Sequence, residues 1–351
     1  MSRTKLFRIL PAAAAAFFTT QSDAFGHEAW LLTPMEVEEL SRAPMPGVFT
    51  DPYVLGLGAL AAGLGAMAAL QIEHKHRRRE ERLTAPLAEI TGGLAPVLVR
   101  AGLAVMMILG ALGGLPREGT EPWTQPVLFV PDMQLTLLGG WDWLAPAQII
   151  LGTLLALGLA TRAAAVGVIG LAVLGAFAFG GHFWAYAPHF AAPALILAVY
   201  GGGWLSVDRA LALPPVPAIP DAARVHAWRV VLALVGGTFV YLGITYKLFQ
   251  PTLLIAILDH GDFPTLGLPF ELVALVMTGV EIVAGLLLAM GRLVRPVALF
   301  LIGAFSFFAV MLGETPLFHA NLYATAAMLL MAGATAPRPL EPRTRAVLKL
   351  A

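Results

Sequence analysis

The sequence predicts an all-α fold, a polytopic bundle of membrane-spanning helices. Hydrophobic residues make up 58% of the 351-residue chain, charged residues only 13%, and the formal net charge is zero. Apolar segments close to the roughly 20 residues needed to cross a bilayer recur along the whole length. Because backbone groups inside a bilayer must be hydrogen-bonded within the protein, such segments favour helices. We therefore expect about nine transmembrane helices in contact with lipid.

The composition also excludes several kinds of chemistry. The chain has no cysteine, which removes disulfides, thiolate nucleophiles, iron–sulfur clusters and cysteine-type zinc sites. Any redox role must therefore depend on a bound cofactor or on a partner subunit. The balanced charge does not indicate nucleic-acid binding. The sequence contains no phosphate-binding loop, Ser-His-Asp order or H-E-x-x-H helix, so we set hydrolase and ATPase functions aside.

Residues 1–26 have the pattern of a secretory signal peptide, in which basic residues precede an apolar run too short to span a membrane. Cleavage after Ala24 or after Gly26 would satisfy the small-x-small rule. The second alternative makes His27 the first residue of the mature protein. A free α-amine and its own imidazole can hold one metal ion together, so His27 is a candidate copper ligand.

The first span after this leader is expected at 52–71, followed by the basic stretch QIEHKHRRREERL. The positive-inside rule keeps that stretch in the cytoplasm, so residues 27–91 are interpreted as an outer segment, the first transmembrane helix and a basic cytoplasmic loop. We therefore expect a protein of the bacterial inner membrane. Alternation of the spans then places the mature N-terminus in the periplasm and the 338–351 tail in the cytoplasm. The further spans are predicted near 95–114, 144–161, 163–180, 189–206, 229–247, 272–290, 296–312 and 319–336.

The chain after the first span contains an internal repeat. AQIILGTLLALGLATR (147–162) aligns without gaps with VEIVAGLLLAMGRLVR (280–295), and Arg100 in LVRAGLAV corresponds to Arg229 in AWRVVLAL. We define a first repeat, 92–210, and a second repeat, 228–337, each with four helices and joined by a proline-rich cytoplasmic linker, 211–227. Four spans return the chain to the same side, so the repeats should be parallel, related by an axis along the membrane normal.

These motifs resemble the DoxX/DoxD-like family of four-helix membrane proteins. The similarity lies in an arginine that opens the first helix, a segment reading E/Q-x-x-x-G-x-L-L-x-x-G-x-x-x-R, and the ending GGGWLSVDRAL (201–211). The second repeat lacks the S-x-D ending, and Gln148 replaces the glutamate that Glu281 retains. The resemblance implies a subunit of a membrane redox assembly, such as the small subunit of a thiosulfate:quinone oxidoreductase. Quinone is then the implied cofactor, and a redox subunit the implied partner.

Glu281 is the sharpest candidate inside a predicted span. An ionised carboxylate is costly at membrane depth, so its presence indicates a function and requires a partner. We name Arg100 or Arg229, or failing them Tyr246, as that partner, and group Glu281, Arg100 and Arg229 as candidate catalytic residues. Glu281 would take up protons for quinone chemistry or hold a substrate. A hydrogen bond between packed helices is the alternative.

His189 and His319 occupy the same position in the two repeats, at the outer mouths of equivalent helices. Two imidazoles near a pseudo-twofold axis are suited to a metal ion or a haem. The alternative is a pair of interfacial histidines at helix starts. Trp184 lies on the same outer side, where it would stack on a quinone ring or simply belong to an aromatic belt.

The outer segments carry one further candidate, the sequence DHGD. Asp259, His260 and Asp262 form a possible metal-ligand cluster or a solvated turn. Segments 125–140 and 250–270 are apolar but broken by proline, which predicts re-entrant or interfacial helices. Three functions remain open at this point: a quinone-linked or electron-transfer subunit, a copper- or haem-handling protein, and a non-enzymatic assembly or structural subunit.

Overall fold

The computed structural model describes residues 31–115, 125–211 and 219–337. The predicted signal peptide, His27 and the 338–351 tail lie outside the described residues. The α-helices are α1 (Pro34–Arg42), α2 (Gly47–Thr50), α3 (Pro52–Ala111), α4 (Leu144–Leu157), α5 (Thr161–Phe179), α6 (Ala187–Tyr200), α7 (Val207–Ala210), α8 (Asp221–Leu242), α9 (Pro251–His260), α10 (Phe270–Ala289), α11 (Val294–Met311) and α12 (Ala320–Ala332). Short 3-10 helices cover Leu135–Leu137, Gly180–Ala185 and Pro316–His319, and a π-helix covers Gly243–Leu248.

The all-helical membrane fold is confirmed within the described ranges, which contain only one isolated β-bridge, between Val127 and Gln134. Five helices are long and apolar enough to cross a bilayer: α3, α5, α8 with its π-helical extension, α10 and α11. Helices α4, α6, α9 and α12 are apolar but shorter. The count of nine spans therefore stays a prediction.

Helix α8 lies beside α6 and runs antiparallel to it. Near the start of α6, the ring of His189 lies 5.7 Å from the ring of Phe239, close to the end of α8. At the other end of the pair, the charge of Arg224 in the first turns of α8 acts on Tyr200, the last residue of α6. Residue numbers thus rise along one helix as they fall along the other.

Helix α8 is also antiparallel to α10, against which it packs very closely. A Cβ atom on Gly236 would lie 2.3 Å from the backbone oxygen of Gly285, and one on Gly243 would lie 2.7 Å from the Ile282 side chain. Glycine permits this approach of two backbones, as in many membrane helix pairs. Because α8 is antiparallel to both neighbours, α6 and α10 run in the same direction.

Helix α3 is 60 residues long, where the sequence analysis predicted two spans joined by a basic loop. The predicted loop is wrong, since the basic stretch is helical throughout. Its Glu, Arg, Leu and Ala residues are strong helix formers, which accounts for the difference. At 1.5 Å per residue, α3 measures about 90 Å along its axis, roughly three times the hydrocarbon thickness of a bilayer.

The first arm of α3 runs parallel to α10. Phe49, just before α3, belongs to one buried cluster with Leu254 and Ala274, near the start of α10. Farther along α3, Glu73 accepts a hydrogen bond of 2.7 Å from Nε of Arg292, which follows the end of α10. Both helices therefore pass from one end of the bundle to the other together.

The second arm of α3 runs the opposite way. Gly93 packs against the indole of Trp204, just beyond the end of α6, and Met106 lines the same pocket as His189 near the start of α6. This arm is antiparallel to α6 and hence to α10, so α3 must reverse its direction between Glu73 and Gly93. Pro86 lies in that stretch, where a proline removes a backbone hydrogen bond and bends the helix.

Two ends of the bundle follow from these directions. We call the end with Glu73, Arg162 and Arg295 the arginine end, and the opposite end, with His189 and His319, the histidine end.

Helix α1 is the first helix of the described residues. Its N-cap Thr33 and Glu36 form a reciprocal capping box, and the hydrogen bonds from Thr33 lower the pKa of the Glu36 carboxyl.

Helix α1 rests on α9. Leu32, Val37 and Leu253 form a small buried cluster, and Thr252 Oγ1 donates a hydrogen bond of 2.9 Å to the carbonyl oxygen of Leu40. The segment 250–270, predicted as interfacial, thus contains a real helix, covered by the N-terminal segment. Segment 125–140 differs, because it contains only a 3-10 turn and an isolated bridge.

Candidate functional site

Glu281 in α10 forms an ion pair with Lys247, not with the arginines or the tyrosine expected from the sequence. The Nζ atom of Lys247 donates to Oε2 of Glu281. The Lys247 side chain is 29% exposed and that of Glu281 15% exposed, so the pair is mostly but not completely buried. An acid and a base thus meet beside two apolar helices, in a place where isolated charges are costly.

The backbone around Lys247 explains why the pair forms. Residues Gly243–Leu248 are π-helical, and such insertions in α-helices occur frequently at functional sites because they change the direction of the side chains that follow. Gly243 lies directly against Ile282, one residue after the glutamate. The missing side chain at Gly243 lets this turn approach α10, which brings the ammonium group within reach of Glu281.

Gln148, the counterpart of Glu281 in the first repeat, has a different role. It is completely buried, accepts a hydrogen bond of 2.9 Å from the backbone N–H of Phe129 and donates one of 2.7 Å to the carbonyl oxygen of Val127. A neutral amide suits these partners because a backbone N–H and a backbone C=O are both satisfied by one side chain. Gln148 therefore anchors segment 125–140, and the charged pair is specific to the second repeat.

The structure brings His189 and His319 together at the histidine end. Both line one pocket, together with Met106, Val130, Tyr186, Phe190, Phe318, Asn321 and Leu322. Nε2 of His319 lies 3.0 Å from Oε2 of Glu314, and Asn321 donates a hydrogen bond of 3.4 Å to the carbonyl oxygen of His189. The sequence alignment of the repeats therefore identified two residues that share a site.

This pocket is small. Its volume is about 10 Å³, enough for about one water molecule but not for a quinone ring or a haem. Trp184, expected to stack on a quinone, is 43% exposed and is not among the lining residues. Tyr186 does line the pocket, and its hydroxyl group donates a hydrogen bond of 2.6 Å to Asp132 in segment 125–140.

The described residues contain no group of three or more His, Asp and Glu side chains arranged to hold a metal ion. Asp259, His260 and Asp262 are exposed, and Asp262 has a positive φ of 46°, typical of a turn. The DHGD sequence thus has the geometry of a solvated turn, which was the alternative to a metal-ligand cluster. His27, the remaining residue of the expected metal site, lies outside the described ranges.

Arg100 and Arg229 do not join Glu281. Arg100 is buried at the arginine end, where its guanidinium donates to the carbonyl oxygens of Leu155, Ala156 and Leu205. Arg229, its counterpart, is exposed. Arg100 ties the C-terminus of α4 to the segment after α6, a contact that supports packing rather than proton transfer at Glu281.

A carboxylate that the sequence analysis missed lies at the arginine end. In the first repeat, Asp208 of the S-x-D ending accepts hydrogen bonds from the backbone N–H groups of Ala160 and Thr161, at 2.6 and 2.8 Å. In the second repeat, which lacks that ending, the N–H of Leu293 donates to Glu73 at 3.0 Å. Glu73 in α3 therefore supplies the carboxylate that the second repeat lacks.

No protein-family model matches the sequence, and no curated protein or solved structure shows significant similarity to it. Of the candidate residues, the Lys247–Glu281 pair has the chemistry of proton transfer, and the His189–His319 pair has the chemistry of metal ligation.

Proposed function

We propose that the protein is a quinone-linked subunit of a membrane redox complex, similar in role to members of the DoxX/DoxD-like family. The observation that carries the proposal is the incompletely buried Lys247–Glu281 pair on apolar helices. Charged residues at such positions usually serve substrate or proton pathways. A quinone dissolved in the bilayer reaches a site of this kind from the side, without entering the small pocket at the histidine end.

The pair has the two groups that quinone reduction requires from a protein. Conversion of a quinone to its quinol consumes two electrons and two protons. The Lys247 ammonium donates a hydrogen bond to a quinone carbonyl oxygen, and the Glu281 carboxylate relays protons to the reduced oxygens. The electrons come from the redox partner subunit of the proposed complex.

Quinone binding to the purified protein tests the proposal. We expect Lys247→Met to weaken the binding of a short-chain quinone by about 10-fold or more, the value of one lost charge-assisted hydrogen bond. Glu281→Gln should retain most binding but slow quinone reduction by the reconstituted complex. Glu271→Gln, in the first turn of the same helix, is the matched control and should change neither.

The quinone proposal fails if the wild-type protein holds no extractable quinone and does not bind an added one. It also fails if Glu271→Gln weakens binding as much as Lys247→Met does. Either result would leave the pair with a purely structural role between α8 and α10.

The proposed orientation places the histidine end in the periplasm of a bacterial inner membrane and the arginine end in the cytoplasm, following the positive-inside rule. The absence of native cysteine allows a direct test with single cysteines in whole cells. Asp142→Cys, at an exposed site of the histidine end, should react with an impermeant thiol reagent, and Arg77→Cys should react only after lysis. The reverse pattern would invert the topology.

Metal handling is the second candidate function, favoured by the shared pocket of His189 and His319. Copper and zinc contents of the wild-type protein, His189→Ala and His319→Ala would decide it. A bound metal that both variants lose supports the candidate, whereas equal contents in all three proteins remove it.

A further inference from the structure

The first arm of α3 turns one side toward the bundle. The partly buried residues of this arm are Val54, Leu55, Ala62, Ala66, Ala69 and Leu70. Because each residue of an α-helix is turned by about 100° from the one before, these residues lie on the same side as Glu73. Glu80 lies on that side too, and it accepts a hydrogen bond of 3.3 Å from Nη1 of Arg295. The side of α3 that faces the bundle is therefore defined as far as Glu80.

The opposite side of α3 carries a continuous row of exposed residues, which we call the outward stripe. Its members follow one another at spacings of three and four residues, as one face of an α-helix requires. The apolar part of the stripe consists of Tyr53, Leu57, Leu60, Leu64 and Met67, which are between 58% and 83% exposed. After Gln71 the stripe continues with Lys75, Arg78 and Arg82, all exposed. One helix face is thus apolar along most of its length and cationic at the arginine end.

The three cations of the outward stripe lack a counter-charge among the described residues. The ion pairs of the arginine end join Arg77 to Glu81, Arg224 to Asp221, Arg292 to Glu73 and Arg295 to Glu80. Beyond the described ranges, residues 212–218 are uncharged, and the 338–351 tail has four Lys and Arg residues but only one acid, Glu341. Counter-charge for the stripe is therefore available mainly from outside the chain.

The level of these cations in the membrane follows from the contacts on the other side of α3. Glu73 meets Arg292 in the turn between the spanning helices α10 and α11, where the hydrocarbon region ends. Glu80 stays at this level, since Arg295 is the second residue of α11. The first two cations of the stripe follow Glu73 by two and five residues, which is about 3 and 8 Å along the helix axis. They therefore lie in the headgroup region, which is roughly 5–8 Å thick on each side of a bilayer.

An anionic phospholipid matches both parts of the outward stripe. Its acyl chains pack along the exposed apolar residues, and its phosphate reaches the cations, to which arginine offers paired N–H groups. An acidic partner protein would match the cations alone and would leave the apolar part of the stripe uncovered. Helix α11 offers no such match at this end, because Arg292 and Arg295 are already paired with carboxylates of α3.

We infer that the outward stripe of α3 binds anionic phospholipids selectively, with the phosphate held by Lys75, Arg78 and Arg82. The first arm of α3, which precedes both predicted repeats, then serves as a lipid contact of the bundle. This surface is independent of the proposed quinone site, because the stripe faces away from α10, the helix that carries Glu281.

A fluorophore on a single introduced cysteine tests the selectivity in the reconstituted full-length protein, which has no cysteine of its own. Met67→Cys places the label on the stripe, and phosphatidylglycerol or phosphatidylcholine with a nitroxide on one acyl chain serves as the quencher. We expect phosphatidylglycerol to reach half-quenching at a mole fraction about 5-fold lower than phosphatidylcholine, the effect of one cation near an anionic surface. With Lys75→Gln, Arg78→Gln and Arg82→Gln combined, the two lipids should quench equally.

Two controls separate the stripe from a general effect of positive charge. Arg77→Gln removes a charge from the same segment, but from a side chain paired with Glu81, and should leave the preference unchanged. A label at Leu299→Cys lies on an exposed position of α11, seven residues after Arg292, and should be quenched equally by both lipids.

A preference for phosphatidylglycerol at Met67→Cys that only the triple variant removes supports the inference. Equal quenching by the two lipids at Met67→Cys would overturn it, and so would the same preference at Leu299→Cys or an equal loss in Arg77→Gln. Weak quenching by both lipids at Met67→Cys would show that protein, rather than lipid, covers the stripe, which also contradicts the inference.

Discussion

Replacing Lys247 and Glu281 singly and together should reveal an energetic coupling between the π-helical extension of α8 and helix α10. The perturbation is a double-mutant cycle with Glu281→Gln, Lys247→Met and the two combined. Each single change leaves one partner without its counter-charge among apolar helices. The double change removes both charges at once, so it should destabilise the protein by less than the sum of the single changes.

The magnitude follows from the exposure of the two side chains. Removing one partner of a fully buried ion pair costs about 3–5 kcal/mol, whereas exposed pairs contribute roughly 0–1 kcal/mol. With side chains 29% and 15% exposed, the pair lies between these limits. We therefore expect each single variant to lose about 2 kcal/mol of unfolding free energy, with a coupling energy of about 1–2 kcal/mol.

Reversible unfolding in mixed detergent micelles, followed by circular dichroism, would measure these free energies. Glu271→Gln serves again as the control on α10 and should change stability by less than about 1 kcal/mol, the usual contribution of a partly exposed carboxylate in the first turn of a helix. Losses that add within about 0.5 kcal/mol in the double variant would refute the coupling. The contact between Lys247 and Glu281 would then contribute nothing to stability.

Further predictions concern the helix ends and crossings. Glu73→Gln should cost about 1–2 kcal/mol, because it weakens bonds to Arg292 and to the Leu293 N–H, and a thermal midpoint unchanged from wild type would contradict this. Gly236→Ala should cost about 1–3 kcal/mol through its clash with Gly285, measured by the same unfolding assay; a neutral effect would disprove the close crossing. Since the pKa of Glu36 is lowered, the cap of α1 should persist above its ordinary pKa and be lost as the pH falls through the lowered value. The protection factors of the α1 amides, which correct the exchange rate for its intrinsic pH dependence, should fall there, and protection factors that do not change with pH would argue against the capping box.

The sequence predicted best those features that repeat or that conflict with their surroundings. His189 and His319 were paired from the alignment of the two repeats, and they share a pocket. Glu281 was selected because a carboxylate conflicts with an apolar helix, and it indeed has a charged partner. The partner was missed because Lys247 lies within a π-helical turn, whereas the sequence pattern of that segment predicts an ordinary α-helix, in which the side chain would point elsewhere.

The sequence could not predict that a residue from a distant part of the chain takes the role of one that a repeat lacks. The second repeat lacks the aspartate of the S-x-D ending, and Glu73 supplies the carboxylate from a helix more than two hundred residues earlier in the chain. Nothing in the residues around Glu73 indicates that contact. The helical state of the basic stretch, by contrast, was predictable from its Glu and Arg content, but positive charge between two spans was interpreted as a loop.

Between Glu73 and Glu80, ahead of the bend at Pro86, the continuous helicity of α3 gives the basic stretch the properties of a rigid spacer. A flexible connection would absorb an inserted residue, but in a helix each residue adds about 1.5 Å and turns everything beyond it by about 100°. One alanine inserted between Glu73 and Glu80 would therefore rotate one of these carboxylates away from its arginine while leaving the other in place. The spacing of Arg292 and Arg295 thus fixes the rotation of α3 about its own axis. Insertions and deletions should therefore be tolerated least in the most polar part of the chain.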